Sequence, residues 1–287
     1  NMRETIENAL DATLRIAEAG APPRLASALR HAVFPGGART RPGLCLAVTV
    51  ACGGDVAGPA VGLATALELV HSASLVHDDM PCFDDASTRR GLPSVHVAFD
   101  ESTALLVGDG LIVLAFEALA RSCAGSPSVL GPLVITLARA AGSPHGLVAG
   151  QAWEAVPSVP LSRYHRAKTG ALFVAATTGG AIAAGQDGER WRALGERLGE
   201  AYQVADDVLD ALATDGEAGK PTGQDAFLGR PNAVSALGVD GAVARLRSLV
   251  EEAVAAVPPC PGATKLEGLV RQMACRLVPA AWKKSAA

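Results

Sequence analysis

Apolar residues recur at helical spacing along most of the chain. Ile6, Leu10, Leu14 and Ala17 fall on one face of a run over residues 2–19, which Gly20-Ala21-Pro22-Pro23 ends. The same reasoning predicts helices over 24–33, 43–52 and 58–79, with Gly53-Gly54 between the third and fourth. Further helices are expected over 99–122, 127–141 and 189–213, and two or three more finish the chain around Pro258-Pro259-Cys260-Pro261-Gly262. Val48-Thr49-Val50 is β-branched but lies within a helical pattern, so no strand is expected. No long Ser/Gly tract or charge block reads as a linker. The expectation is a single all-α domain over 1–287, a large helical bundle around a central cavity.

Two interruptions of this pattern carry chemistry. The run from His71 to Asp85 ends in Asp78, Asp79, Asp84 and Asp85, and Arg89-Arg90-Gly91 follows closely. Four carboxylates in eight residues repel one another unless something cationic neutralises them. A hard divalent metal with oxygen ligands suits that density, and Mg²⁺ typically binds through one or two carboxylates plus substrate phosphates. Arginines beside the acids are the natural bidentate donors to phosphate. Alone, the cluster reads equally well as a solvated acidic loop. A second cluster, Asp206, Asp207 and Asp210, lies inside the apolar pattern of 189–213, with Asp206 and Asp210 on one helix face. Two clusters facing inward would form a cage for metal ions and a diphosphate, which makes function the better explanation.

The spacing Asp78-Asp79-x-x-x-x-Asp84 with Arg89-Arg90-Gly91, and Asp206-Asp207-x-x-Asp210, resembles the two aspartate-rich motifs of the trans-polyprenyl diphosphate synthases. The similarity runs from about Phe34 to Val234 with the motifs in the family's order, and is nearest to bacterial geranylgeranyl diphosphate synthases of carotenoid and chlorophyll pathways. It implies head-to-tail transfer between an allylic diphosphate and isopentenyl diphosphate, with three Mg²⁺ ions per active site. Asp78, Asp79, Asp84, Asp206 and Asp210 would be metal ligands, and Asp207 and Lys168 would join the catalytic set. Arg89, Lys168, Thr169, Gln203, Lys220 and Arg230 would contact the allylic diphosphate, and Arg39, Arg41, Arg90 and His71 isopentenyl diphosphate. Phe34-Pro35-Gly36-Gly37-Ala38-Arg39-Thr40-Arg41-Pro42 departs from the family's Gly-Gly-Lys-Arg-x-Arg-Pro by carrying Ala38 for the lysine. Gln151-x-x-Glu154 resembles the family's Gly-Gln-x-x-Asp element, and Lys168-Thr169-Gly170-Ala171-Leu172 its Lys-Thr-Gly-Ala-Leu.

Product length follows from the helix before the first cluster. A tail whose diphosphate is held at Asp78 runs back towards the helix N-terminus, past Ala73 and Ser74. C15-forming relatives commonly carry a bulky aromatic at the place of Ala73, so the alanine implies a C20 product. Phe116 or Phe173 closing the cavity earlier would give C15 instead. The competing readings are a class I terpene cyclase, whose second motif differs from Asp206-Asp207-Val208-Leu209-Asp210, and a catalytically silent partner subunit.

Bulk properties narrow the partners. A net charge of −4 with no basic run argues against nucleic acid. Mean hydropathy is positive, yet every apolar stretch is interrupted by charge, Gly or Pro, so no membrane span is expected. The six cysteines show no C-x-x-C pairing, which argues for reduced core residues rather than zinc or disulfides. No signal-peptide pattern is visible. A cytoplasmic enzyme is expected, and a homodimer is implied by the resemblance alone.

Overall fold

The helices form close to their expected limits in the computed structural model, which describes residues 1–154, 156, 161–212 and 232–277. They are α1 (Met2–Glu18), α2 (Pro23–Val33), α3 (Thr40–Ala51), α4 (Gly58–Asp78), α5 (Val95–Ala98), α6 (Glu101–Ser122) and α7 (Pro127–Ala141). After them come α8 (Leu147–Glu154), α9 (Leu161–His165), a π-helical turn (Arg166–Gly170), α10 (Ala171–Ala183) and α11 (Arg192–Leu212). The last two are α12 (Ala233–Ala255) and α13 (Ala263–Leu277). The fold class is all-α, as expected.

One small correction concerns strands. Thr88–Arg89 (β1) and Leu92–Pro93 (β2) pair antiparallel, with Thr88 opposite Pro93. Arg90 and Gly91 between them have φ of 54° and 77°, as a type I′ hairpin turn requires. Two-residue strands leave no period-2 signal, so sequence patterning could not reveal them.

The contacts group into two compact units, each described by itself. One comprises Asn1–Val50, Gly54–Leu137 and Gly179–Gln186. Its centre is α4, buried on nearly every side from Ala60 to Asp78 and packed along α6. Gly108 of α6 lies beneath the His77 ring, which a Cβ at that position would overlap. The other comprises Ala51–Gly53, Ala138–Thr178 and Asp187–Ala287. Its core is the α11–α12 seam, with Val204, Val208, Val243, Leu246 and Leu249 at its heart.

The expectation about apolar stretches changes here. Helices α4 and α6 are long and apolar enough to cross a membrane by length and composition. Single charges such as Glu68 and Asp109 dilute their hydropathy too little to bring it below that mark. Most of α4 is buried, as a core helix would be. Helix α6 keeps an exposed apolar face, with Leu105 at 49%, Leu106 at 58% and Val113 at 68% exposure.

Candidate active site

The first acidic cluster is shaped by a reversal of the chain at the C-terminus of α4. Met80 N donates to His77 O at 3.1 Å, Asp84 N to Asp78 O at 3.0 Å and Ala86 N to Asp79 O at 3.1 Å. These bonds use carbonyls that a helix end leaves unsatisfied, and they bring residue 84 back beside residue 78. Adjacent helical residues point about 100° apart, and the two leading aspartates separate accordingly. Asp79 is buried and receives Arg89 Nε at 3.0 and 3.2 Å, with Arg89 Nη2 completing a forked pair. Burial works against the Arg89 charge, but the hydrogen bonds to Asp79 outweigh it and raise the guanidinium above its ordinary pKa. A cleft beside this pair is lined by His31, Ser72, Asp79, Arg89, Arg90 and Ser94.

A basic corner lies on the same unit. Arg41 Nη1 is 3.3 Å from His71 Nε2. Burial, followed by the charges of Arg41 and Arg90, holds the His71 imidazole well below its ordinary pKa and therefore neutral. Arg90 projects from the hairpin turn, with its guanidinium over Gly37. Burial and the charges of Arg39, Arg89 and Arg41 lower its pKa, and Glu68 opposes them. The chemistry of such a corner suits an anion.

Arg39 departs from the expected role. Its side chain turns inward, where Nε and Nη2 donate to Glu7 at 3.0 and 3.1 Å and Nη1 to Glu68 at 2.5 Å. Nη2 also donates to Val33 O at 2.9 Å. With all three nitrogens engaged and 4% of the residue exposed, Arg39 is not offered to a substrate.

The second unit holds the other cluster on α11. Asp207 is 2% exposed and accepts from Gln203 Nε2 at 2.9 Å and from Ala233 N at 2.6 Å. Gln203 in turn accepts from Thr169 Oγ1 at 2.7 Å. The chain Thr169–Gln203–Asp207–Ala233 thus sets the orientation of the amide and ties α12 to α11. Asp206 and Asp210 are only part-buried. Lys168 and Thr169 sit on the π-helical turn, a departure from α-geometry frequent at functional sites. Lys168 Nζ is paired with Glu154, which also accepts from Tyr164 Oη at 2.6 Å. Lys220 and Arg230 lie outside the described residues.

Residues 22–262 match the family model described as polyprenyl synthetase. The chain belongs to that family. A geranylgeranyl diphosphate synthase of Cereibacter sphaeroides is 55% identical over 260 residues, covering 91% of this chain and 90% of that protein. One from Rhodobacter capsulatus is 47% identical over 279 residues, covering 97% and 96%. A geranyltransferase from Helicobacter pylori, solved in complex with magnesium and isoprenyl diphosphate, shares the fold of this polyprenyl synthetase family member at a TM-score of 0.78. It is 27% identical and covers 95% of this chain and 97% of that one.

Among the described residues no three His, Cys, Asp or Glu side chains are already gathered to hold a metal ion. The donors present nevertheless suit Mg²⁺ in this family member. They are hard carboxylate oxygens, and Mg²⁺ needs only one or two of them when phosphates and water complete its octahedron. The return of Asp84 to Asp78 supplies such a pair of residues. Sequence reasoning missed Glu7 and Glu68. Glu68 did leave a signal, since a lone acid inside the apolar run of α4 requires a buried cation. Gln203 and Thr169 were both singled out, but their bond to each other was not predictable from residues 34 apart.

Proposed function

We propose that the protein is a Mg²⁺-dependent prenyltransferase that condenses isopentenyl diphosphate with an allylic diphosphate, giving geranylgeranyl diphosphate. The observation that carries this reading is the division of labour within each Asp-Asp pair. Asp79 receives Arg89, and Asp207 receives Gln203 Nε2 and Ala233 N; each is the more buried member of its pair. In this reading Asp78, Asp84, Asp206 and Asp210 hold Mg²⁺, and Asp79 and Asp207 position their neighbours instead of ligating. When bound, the metal neutralises the charge that develops on the leaving diphosphate. Three ions per site are expected, and titration with Mg²⁺ and an unreactive allylic diphosphate counts them.

Arg89, held by Asp79, and Lys168, paired with Glu154, are assigned to the allylic diphosphate. Thr169 and Gln203 add neutral donors there, and Lys220 and Arg230 are assigned to the same anion. Arg41, Arg90 and neutral His71 hold isopentenyl diphosphate, the neutral imidazole serving as a hydrogen-bond partner that leaves net charge to the arginines. Ionisation of the allylic diphosphate yields a carbocation that the double bond of isopentenyl diphosphate attacks. The proton then lost goes to the departed diphosphate. No side-chain nucleophile is required, and the apolar surroundings keep water from trapping the cation.

Ala73 supports a C20 product. It is fully buried in α4, and neighbouring Ser74 turns its hydroxyl back to His71 O at 2.8 Å. A methyl group at 73 leaves the tail path open where an aromatic would close it. A second copy of the chain is the partner assigned to the exposed face of α6, because Leu105, Leu106 and Val113 present an apolar stripe there. Incubating the pure protein with isopentenyl diphosphate, farnesyl diphosphate and Mg²⁺ and identifying the product tests the reading. Absence of any elongated product would overturn it.

A further inference from the structure

The deepest charged group in the first unit is one the proposed chemistry does not use. Arg39 and Glu68 are nearly sealed from solvent, and Glu7 completes a cluster of two acids around one guanidinium. The cluster joins three elements: Glu7 lies on α1, Glu68 on α4, and Arg39 in the loop that leads into α3. Arg39 has φ of 51°, a conformation that costs a non-glycine residue of order 1 kcal/mol and persists only where the surroundings over-determine it. Here four hydrogen bonds from one side chain do so. Two glycines make room. A Cβ on Gly36 would overlap the Arg39 guanidinium, and one on Gly37 would lie 3.1 Å from Arg90 Nη2.

The two residues that bracket this cluster are the ones assigned to the incoming anion. Arg41 follows Arg39 by two positions, and His71 follows Glu68 by three, one helical turn on the same face of α4. We infer that Glu7, Arg39 and Glu68 form a positioning device that clamps the Gly36–Arg39 loop, and with it the start of α3, to α1 and α4 and so sets the Arg41–His71 pair for diphosphate binding. The like charges of Arg41 and Arg90 repel each other, and a tethered loop fixes the start of α3, on which Arg41 lies. The inference rests on the reading of Arg41 and His71 as the isopentenyl diphosphate site.

The test is a set of full-length variants assayed with each substrate varied in turn. Glu68→Gln, which keeps shape but removes charge, should raise the KM for isopentenyl diphosphate about tenfold and change that for the allylic diphosphate less than about twofold. Glu7→Gln, at the less buried partner, should raise it about threefold and serves as the test if Glu68→Gln does not fold. In an Arg41→Gln background either substitution should add less than twofold, since the group being positioned is gone. An unchanged KM in the folded Gln variants, or effects that multiply fully in the Arg41→Gln background, would overturn the positioning role. If Arg41→Gln alone leaves the KM for isopentenyl diphosphate unchanged, the assignment of that site fails, and this inference with it.

Discussion

The two acidic clusters are built from the same dipeptide and stabilised in opposite ways. At the end of α4 the more deeply buried aspartate, Asp79, is answered by a cation, Arg89. On α11 the inward aspartate, Asp207, is answered by neutral donors, an amide and a backbone N–H. The first arrangement puts a guanidinium at the edge of the cluster, a quarter exposed, so the residue that holds the acid is also the one proposed to contact the substrate. The second fastens the start of α12 through a backbone N–H. A shared motif therefore carries two structural tasks, orienting a guanidinium in one unit and anchoring a helix in the other.

Substitution at the second cluster should separate these tasks most strongly. Asp206→Ala is expected to lower turnover by about a thousandfold or more with the fold retained, because a proposed Mg²⁺ ligand on a part-buried helix face is removed. Near-normal rates at saturating Mg²⁺ would refute the metal role. Asp207→Ala should instead unfold early, by about 2–4 kcal/mol in chemical denaturation, since a buried N–H and an amide lose their acceptor. Asp79→Ala should cost less stability than Asp207→Ala, because Arg89 can return to water. The reverse order would break the comparison.

Next in size is a change of product. Ala73→Tyr should move the main product from C20 to C15 with little loss in the first condensation. An unaltered product distribution would mean that the floor of the cavity lies elsewhere.

The second unit also carries a titration. Burial lowers the His165 pKa from 6.5 to about 4, so the folded protein keeps that ring neutral while the unfolded chain protonates it. Its contribution is complete above the unfolded value and is lost as pH falls from 6.5 towards 4, up to about 3 kcal/mol. Neutral His71 adds a loss of the same sign. His165→Gln should flatten melting temperature against pH over that window, and an unchanged slope would count against the account. The smallest effect is expected at Ala38. Arg3 Nη2 already donates to Gly37 O at 3.4 Å, so Ala38→Lys should change the KM for isopentenyl diphosphate less than about threefold. A tenfold improvement would show that the missing lysine is uncompensated.

Helix limits were legible because apolar periodicity and Gly/Pro punctuation act locally. Ile6, Leu10 and Leu14 are buried as their spacing requires. The acidic clusters were legible for a related reason, since repulsion among close residues is itself a local fact. What holds the more buried member of each pair was not, because Arg89 and Ala233 are supplied by the fold from elsewhere. Arg39 and Arg41 looked alike as exposed loop cations. Only the left-handed backbone at Arg39 and two acids from distant helices distinguish them. The π-helical turn likewise has no composition of its own.

The Arg90–Gly91 turn bears on how such an enzyme can be improved. Its geometry favours asparagine or glycine at the first position, and the chain carries arginine there instead. Breeding for heat resistance alone would reward Arg90→Asn, which relaxes the turn. The same exchange would strip a cation from the proposed isopentenyl diphosphate site. A thermal screen run without an activity assay would thus enrich robust but sluggish descendants, and sequencing position 90 in the survivors would reveal the trade.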